Sequence, residues 1–147
     1  MLVCCGIFAR FALFSGEKNR LQERQKNTLP LPFSLIICAR NEAENLRKHL
    51  PRILEQQYDG DWELLLVDDD SSDDTAAVVQ GFQDEYPFLR LIRLKDKHLS
   101  GKKTALQQGI LACKYEHVLV SDADCSPVGS GWLAGMVTGV LHSYFGI

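Results

Sequence analysis

An α/β fold with a mostly parallel sheet flanked by helices is predicted by three features of this chain. Short apolar runs recur along it, segments of helical spacing stand between them, and charged clusters follow the runs. Strands that alternate with helices imply right-handed crossovers and a sheet covered on both faces. Phe33 to Cys38 is continuous and rich in isoleucine, the pattern of a strand buried on both sides. Ala39-Arg40-Asn41-Glu42 follows as a loop, and Glu44 to Gln56 carries Leu46, Leu50, Ile53 and Leu54 at helical spacing. Glu63 to Val67 is a second buried strand, opening into the acidic loop Asp68 to Thr75, which can cap the helix Ala76 to Phe82. Leu89 to Leu94 alternates enough to suggest an edge strand. Lys103 to Lys114 reads as a helix through Ala105, Leu106, Ile110 and Leu111, and His117 to Val120 as the last strand.

Composition fits one domain. The chain has 147 residues, a net charge of −3, and enough apolar residues to bury a core. Its basic residues are scattered, so a nucleic-acid partner is not expected. Five cysteines, at 4, 5, 38, 113 and 125, lack paired CxxC spacing and are read as reduced core or filler thiols. Cys125 beside hard carboxylates would be a poor ligand for magnesium or manganese.

Met1 to Phe14 is apolar apart from Arg10 but shorter than the roughly 20 residues a membrane span needs. From Arg10 to Lys26 there are five basic and two acidic residues, a bias that places a following domain on the cytoplasmic side. Residues 1–29 are therefore expected to be a membrane-proximal segment with a charged helix and linker, which Pro30 and Pro32 end. Val128 to Ile147 contains no Asp, Glu, Lys or Arg and spaces Gly131, Gly135 and Gly139 as a membrane helix does. Trp132, Leu133, Met136, Val137, Val140 and Leu141 nevertheless share one stripe, so a packed surface helix is the expectation.

Chemistry concentrates after the strands. Ligands of open α/β sheets bind beyond the carboxyl ends of strands, where the strand order switches. Arg40-Asn41-Glu42, Asp68-Asp69-Asp70 and Asp122-Ala123-Asp124 would gather there. Asp122 and Asp124, one small residue apart, can converge on one divalent cation and a diphosphate it holds, or simply cap the next helix. The crowded carboxylates from Asp68 to Asp74 repel one another, which favours a ligand for at least one of them.

Ile36-Ile37-Cys38-Ala39-Arg40-Asn41-Glu42, Val67-Asp68-Asp69-Asp70-Ser71-Ser72-Asp73, Gly101-Lys102-Lys103-Thr104-Ala105-Leu106 and Asp122-Ala123-Asp124, in this order, resemble the family 2 glycosyltransferases of GT-A fold. The resemblance covers roughly residues 33 to 136 and makes 30–147 a partial GT-A domain, truncated after the Asp-x-Asp motif. The family commonly has proline where Cys38 or Ala39 stands, glycine where Asp70 stands and asparagine where Gln107 stands.

The resemblance implies transfer of a sugar from a nucleoside-diphosphate sugar, a UDP-sugar by preference, with Mn2+ or Mg2+ and with inversion. It implies that Ala39, Arg40 and Glu42 line the nucleotide pocket and that Asp69, with Asp68, accepts a hydrogen bond from the base. Asp122 faces the ribose or sugar, Asp124 holds the cation, and Lys102 adds charge near the phosphates. On its own terms Lys102 reads equally as a solvated lysine before a helix. The acceptor, glycan or lipid, is not specified. The family's general base is an acidic residue well after the metal motif, and no Asp or Glu follows Asp124. The chain is thus expected to be the donor-binding half of a longer enzyme, with a non-catalytic nucleotide-binding fragment as the alternative. A haloacid-dehalogenase-type phosphatase or a receiver domain would each need a later lysine that is missing.

Overall fold

The computed structural model describes residues 7–10, 30–95 and 101–145. Five strands form one sheet: β1 (Ile7–Arg10), β2 (Phe33–Ala39), β3 (Trp62–Asp69), β4 (Leu89–Leu94) and β5 (His117–Asp122). Helices α1 (Ala43–Leu54), α2 (Thr75–Gln83), α3 (Lys102–Ala112) and α4 (Trp132–Phe145) complete the described elements. The strand order is β1-β5-β2-β3-β4, with β4 on an edge as its alternating pattern predicts. Strands β5, β2, β3 and β4 are mutually parallel, and β1 runs antiparallel to β5. The chain steps outward from β2 to β4 and then returns to the other side of β2. The switch in order therefore falls between β2 and β5.

Alternation within the buried strands builds two cores. Leu35, Ile37, Leu64, Leu66 and Leu119 face Leu46, Leu50 and Ile53 of α1, Val79 of α2 and Leu133 and Val137 of α4. Ile36, Leu65, Val67 and Val118 face Ala105, Leu106 and Ile110 of α3. Trp132, Leu133, Met136 and Val137 of the α4 stripe thus pack on the core, and Gln56, just past the end of α1, secures the start of α4 by accepting from the Leu133 N–H and donating to the Gly129 carbonyl. No helix among the described residues is long and apolar enough to cross a membrane.

Helix α3 lies close on the sheet because residue 109 has no side chain. An added Cβ there would stand 2.9 Å from Ile36 Cγ2 and 3.1 Å from Val67 Cγ2, both on stiff β-branched residues. Gly109→Ala should destabilise by about 1 kcal/mol, since overpacking of about 1–3 kcal/mol outweighs a helix-propensity gain of about 1 kcal/mol. Gly81→Ala, where nothing lies within 4 Å, should stabilise by about 0.5–1 kcal/mol. Urea midpoints moving in the same direction for both would contradict this packing.

Several expectations are corrected. Ile7–Arg10 forms an edge strand on β5 that the apolar pattern did not suggest, in register from Ile7 opposite Val120 to Arg10 opposite His117. The free edge of β5 offers unpaired N–H and C=O groups, which a short strand satisfies. The rest of residues 1–29 lies outside the described residues. Cys125 is disulfide-bonded, whereas Cys38 and Cys113 are free. Spacing along a chain does not reveal which thiols the fold brings together. The loops also begin later than the apolar runs suggest, because pairing carries β2 through Ala39, β3 through Asp68 and Asp69, and β5 through Asp122.

Candidate functional site

A cavity of about 320 Å³ opens at the carboxyl ends of β2, β3 and β5. Its lining includes Ala39, Arg40 and Glu42 at and after the end of β2, Asp69 at the end of β3, Lys102 of α3, and Asp122 and Asp124 at the end of β5. Four chain segments thus bring together all the predicted site residues except Asp68. The pleat separates Asp68 from its neighbour: consecutive strand residues point to opposite faces. The Asp68 carboxylate is buried, accepts from the Ser71 N–H at 3.0 Å and pairs with Arg93 Nε at 3.4 Å.

Asp69 is buried at the cavity wall. Both of its oxygens accept from the Gly101 N–H, at 3.0 and 2.9 Å, and Arg40 Nη1 stands 4.0 Å away. Glu42 is held by Asn45, whose Nδ2 donates to its Oε2 at 2.6 Å. Lys102 Nζ donates to Asp122 Oδ1 at 2.6 Å, and this bond raises the lysine pKa, so the ammonium stays charged. Among the described residues no hydrogen bond or ion pair engages the exposed Asp124 carboxylate.

Sequence reasoning did not assign Cys38, Ala105 and Ala123 to this wall. Ala105 lies one helical turn past Lys102 and so shares its face, a signal that helical spacing carries. Burial, together with the charges of Asp122 and Asp69, outweighs the opposing charge of Lys102 and pushes the Cys38 thiol up to about 11. It is a neutral, small wall group at ordinary pH.

The crowded acidic segment after β3 is explained largely by internal bonding. Asp70 adopts φ 54°, the left-handed conformation that glycine takes most readily and that aspartate tolerates better than most residues. The tight turn is kept without a glycine. Asp73 accepts from the N–H of Thr75 at 2.9 Å and from the N–H of Ala43 at 3.1 Å, while Asp74 pairs with Arg47 at 3.2 Å on the surface. Little of the cluster's charge therefore waits for a ligand.

The residues present suit a cation shared with a ligand. Asp122 and Asp124 are hard oxygen donors at the cavity, and no group of three or more His, Cys, Asp or Glu among the described residues forms a metal cage. Magnesium and manganese commonly bind through one or two carboxylates, with phosphate and water completing the shell. The site fits that arrangement.

The cavity, with its acidic pair, lies beside the strand-order switch, where open α/β sheets hold their ligands. Residues 34–142 match the glycosyl transferase family 2 model, and the chain belongs to that family, with its GT-A fold. The chain is 31% identical over 121 residues to the β-monoglucosyldiacylglycerol synthase of Trichormus variabilis, covering 81% of this chain and 25% of that enzyme. A mannosyltransferase from Pyrobaculum calidifontis, solved with GDP-Man and Mn2+, superposes with a TM-score of 0.65 at 28% identity, covering 80% of this chain and 37% of that one. S. aureus TarS 1–349, solved with UDP-GlcNAc, has a TM-score of 0.64 at 20% identity, covering 78% and 32%, and shares the fold. The chain spans about a quarter to a third of the length of the first curated relatives it matches.

Proposed function

We propose that this chain binds a nucleoside-diphosphate sugar, a UDP-sugar, together with Mn2+ or Mg2+, and supplies the donor site for inverting transfer of the sugar to an acceptor hydroxyl. The observation that carries the proposal is the convergence of Arg40, Glu42, Asp69, Lys102, Asp122 and Asp124 on one cavity. Arg40 and Glu42, with Ala39, would bound the nucleoside, and Asp69 would accept a hydrogen bond from the base. A carboxylate has lone pairs beyond those that bind the Gly101 N–H, so Asp69 can accept from the base as well. Asp122 would face the ribose or sugar. Asp124, with Asp122, would hold the cation, which when bound neutralises charge on the departing diphosphate. Lys102 would offer a second positive charge to the same phosphates.

In the transfer, the acceptor oxygen bonds to the anomeric carbon as the carbon–oxygen bond to the diphosphate breaks, and the hydroxyl proton passes to a base. No residue of this chain is assigned to that role. The acceptor is proposed to be a lipid or glycan at the cytoplasmic face of a membrane. Support comes from the basic excess between Arg10 and Lys26 and from the glucosylated lipid named in the Trichormus relative. Co-flotation with anionic vesicles, lost in high salt, is the expected result; no flotation at low salt would oppose the membrane assignment.

Calorimetric titration of UDP tests the donor site. Heat is expected with Mn2+ present and not with chelator. Silence in both conditions at millimolar UDP would refute the reading.

A further inference from the structure

The loop after β2 is held in place by side chains from the segment after β3. Three consecutive backbone N–H groups are bound this way: Asn41 donates to Ser71 Oγ at 2.9 Å, Glu42 to Thr75 Oγ1 at 2.9 Å and Ala43 to Asp73 Oδ2 at 3.1 Å. In return, Asn41 Oδ1 accepts from the Ser72 N–H at 2.8 Å and from its hydroxyl at 3.2 Å. Asn41 itself stands at φ 55°, a left-handed conformation that needs such support. The start of a helix leaves N–H groups without partners, and Glu42, the N-cap of α1, makes no side-chain capping bond. The clasp supplies the missing acceptors from the segment that follows the neighbouring strand.

Asp73 joins both helix starts through one carboxylate. Its Oδ2 takes the Ala43 N–H of α1, and its Oδ1 takes the N–H and hydroxyl of Thr75 at the start of α2. Thr75 is fully buried and passes the constraint to Glu42. Arg40 and Glu42 on one side of the cavity are thereby set relative to Asp69 on the other. Neither Asp73 nor Thr75 lines the cavity.

We propose that Asp73 and Thr75 are positioning residues of the donor site, fixing its Ala39–Glu42 wall from outside so that donor affinity depends on two side chains that line no part of it. This rests on the donor-site reading above. Displacing a wall by a fraction of an ångström misaligns several contacts at once, which is why such supports carry affinity.

The test pairs hydrogen exchange with UDP titration in Mn2+. Asp73→Asn keeps size and one acceptor oxygen, but its amide cannot accept from Ala43. The Asn41, Glu42 and Ala43 amides should exchange at least about tenfold faster while those of Leu35 to Ile37 stay protected, and the Kd for UDP should rise at least about tenfold. Thr75→Val, which removes only the hydroxyl, should act alike, and Thr75→Ser, which keeps it, should bind as the wild type does. If Asp73→Asn does not fold, the Thr75 pair carries the same comparison. Wild-type binding with variants within twofold of it would overturn this proposal alone, as would exchange rising equally throughout the sheet. A wild-type chain silent toward UDP would overturn the donor-site reading and this proposal with it.

Discussion

Asp124→Ala is expected to weaken manganese-dependent UDP binding by at least about 100-fold, equivalent to about 2.7 kcal/mol. The two acidic residues are not equivalent. Asp122 is already paired with Lys102 at 2.6 Å, whereas the exposed Asp124 has no hydrogen bond or ion pair among the described residues. With no third protein carboxylate grouped there among the described residues, the cation must rely on few ligands, and removing one is costly. Because Asp124 is exposed, its loss should leave the urea midpoint nearly unchanged. Calorimetry with and without Mn2+ checks the result; metal-dependent heat retained at wild-type affinity would exclude Asp124 as the cation's ligand.

The second large effect concerns stability, at the opposite end of the sheet. Glu63 is buried beneath α3 and accepts from the Ser34 hydroxyl at 2.6 Å, from Arg90 Nη1 at 2.7 Å and from the Lys114 N–H. Ser34 Oγ in turn accepts from the Tyr115 N–H at 3.2 Å, so one carboxylate organises the chain between α3 and β5. Glu63→Ala would leave these donors unmatched and should cost about 3 kcal/mol; Arg90, half-exposed, recovers part of its loss from water.

Burial alone would raise the Glu63 pKa, but the bonds from Ser34, Lys114 and Arg90 outweigh it and hold it below the ordinary glutamate value. A depressed folded pKa means stability present above the unfolded pKa and lost as pH falls through the folded one. Wild-type stability should therefore fall from about pH 4.5 downward, and Glu63→Gln should flatten that part of the curve. Asp73, also held low because bonds from Thr75 and Ala43 outweigh burial, contributes in the same direction and remains in the variant. Urea unfolding across pH checks both; a Glu63→Gln curve parallel to that of the wild type would remove Glu63 from this role.

The parallel order of the sheet was legible because apolar runs such as Phe33 to Cys38 and Glu63 to Val67 need cover on both faces, and helical segments between them supply it. The place of the site was legible for the same reason, since polar residues that interrupt buried strands collect at strand ends. Glu63 was not legible as a buried charge: it sits at the edge of an apolar run, where a solvated residue looks identical. Nor was β1, whose Ile7 to Arg10 carries apolar character without saying whether lipid or a sheet edge receives it. The bonds from Ser71, Asp73 and Thr75 to the β2–α1 loop link residues about 30 positions apart, and no local pattern encodes them.

By itself the sequence determined the α/β class, the covered parallel strands, the family and the cluster of candidate residues, because hydrophobic period and motif order are properties of neighbours along a chain. The tertiary structure decided which carboxylates face the cavity. Asp69 enters and Asp68 does not, because pairing extends β3 through both and the pleat turns them to opposite faces. It also decided that Asp73 serves the backbone of another loop rather than the cavity, since only the folded chain sets an acceptor within 3.1 Å of the Ala43 N–H.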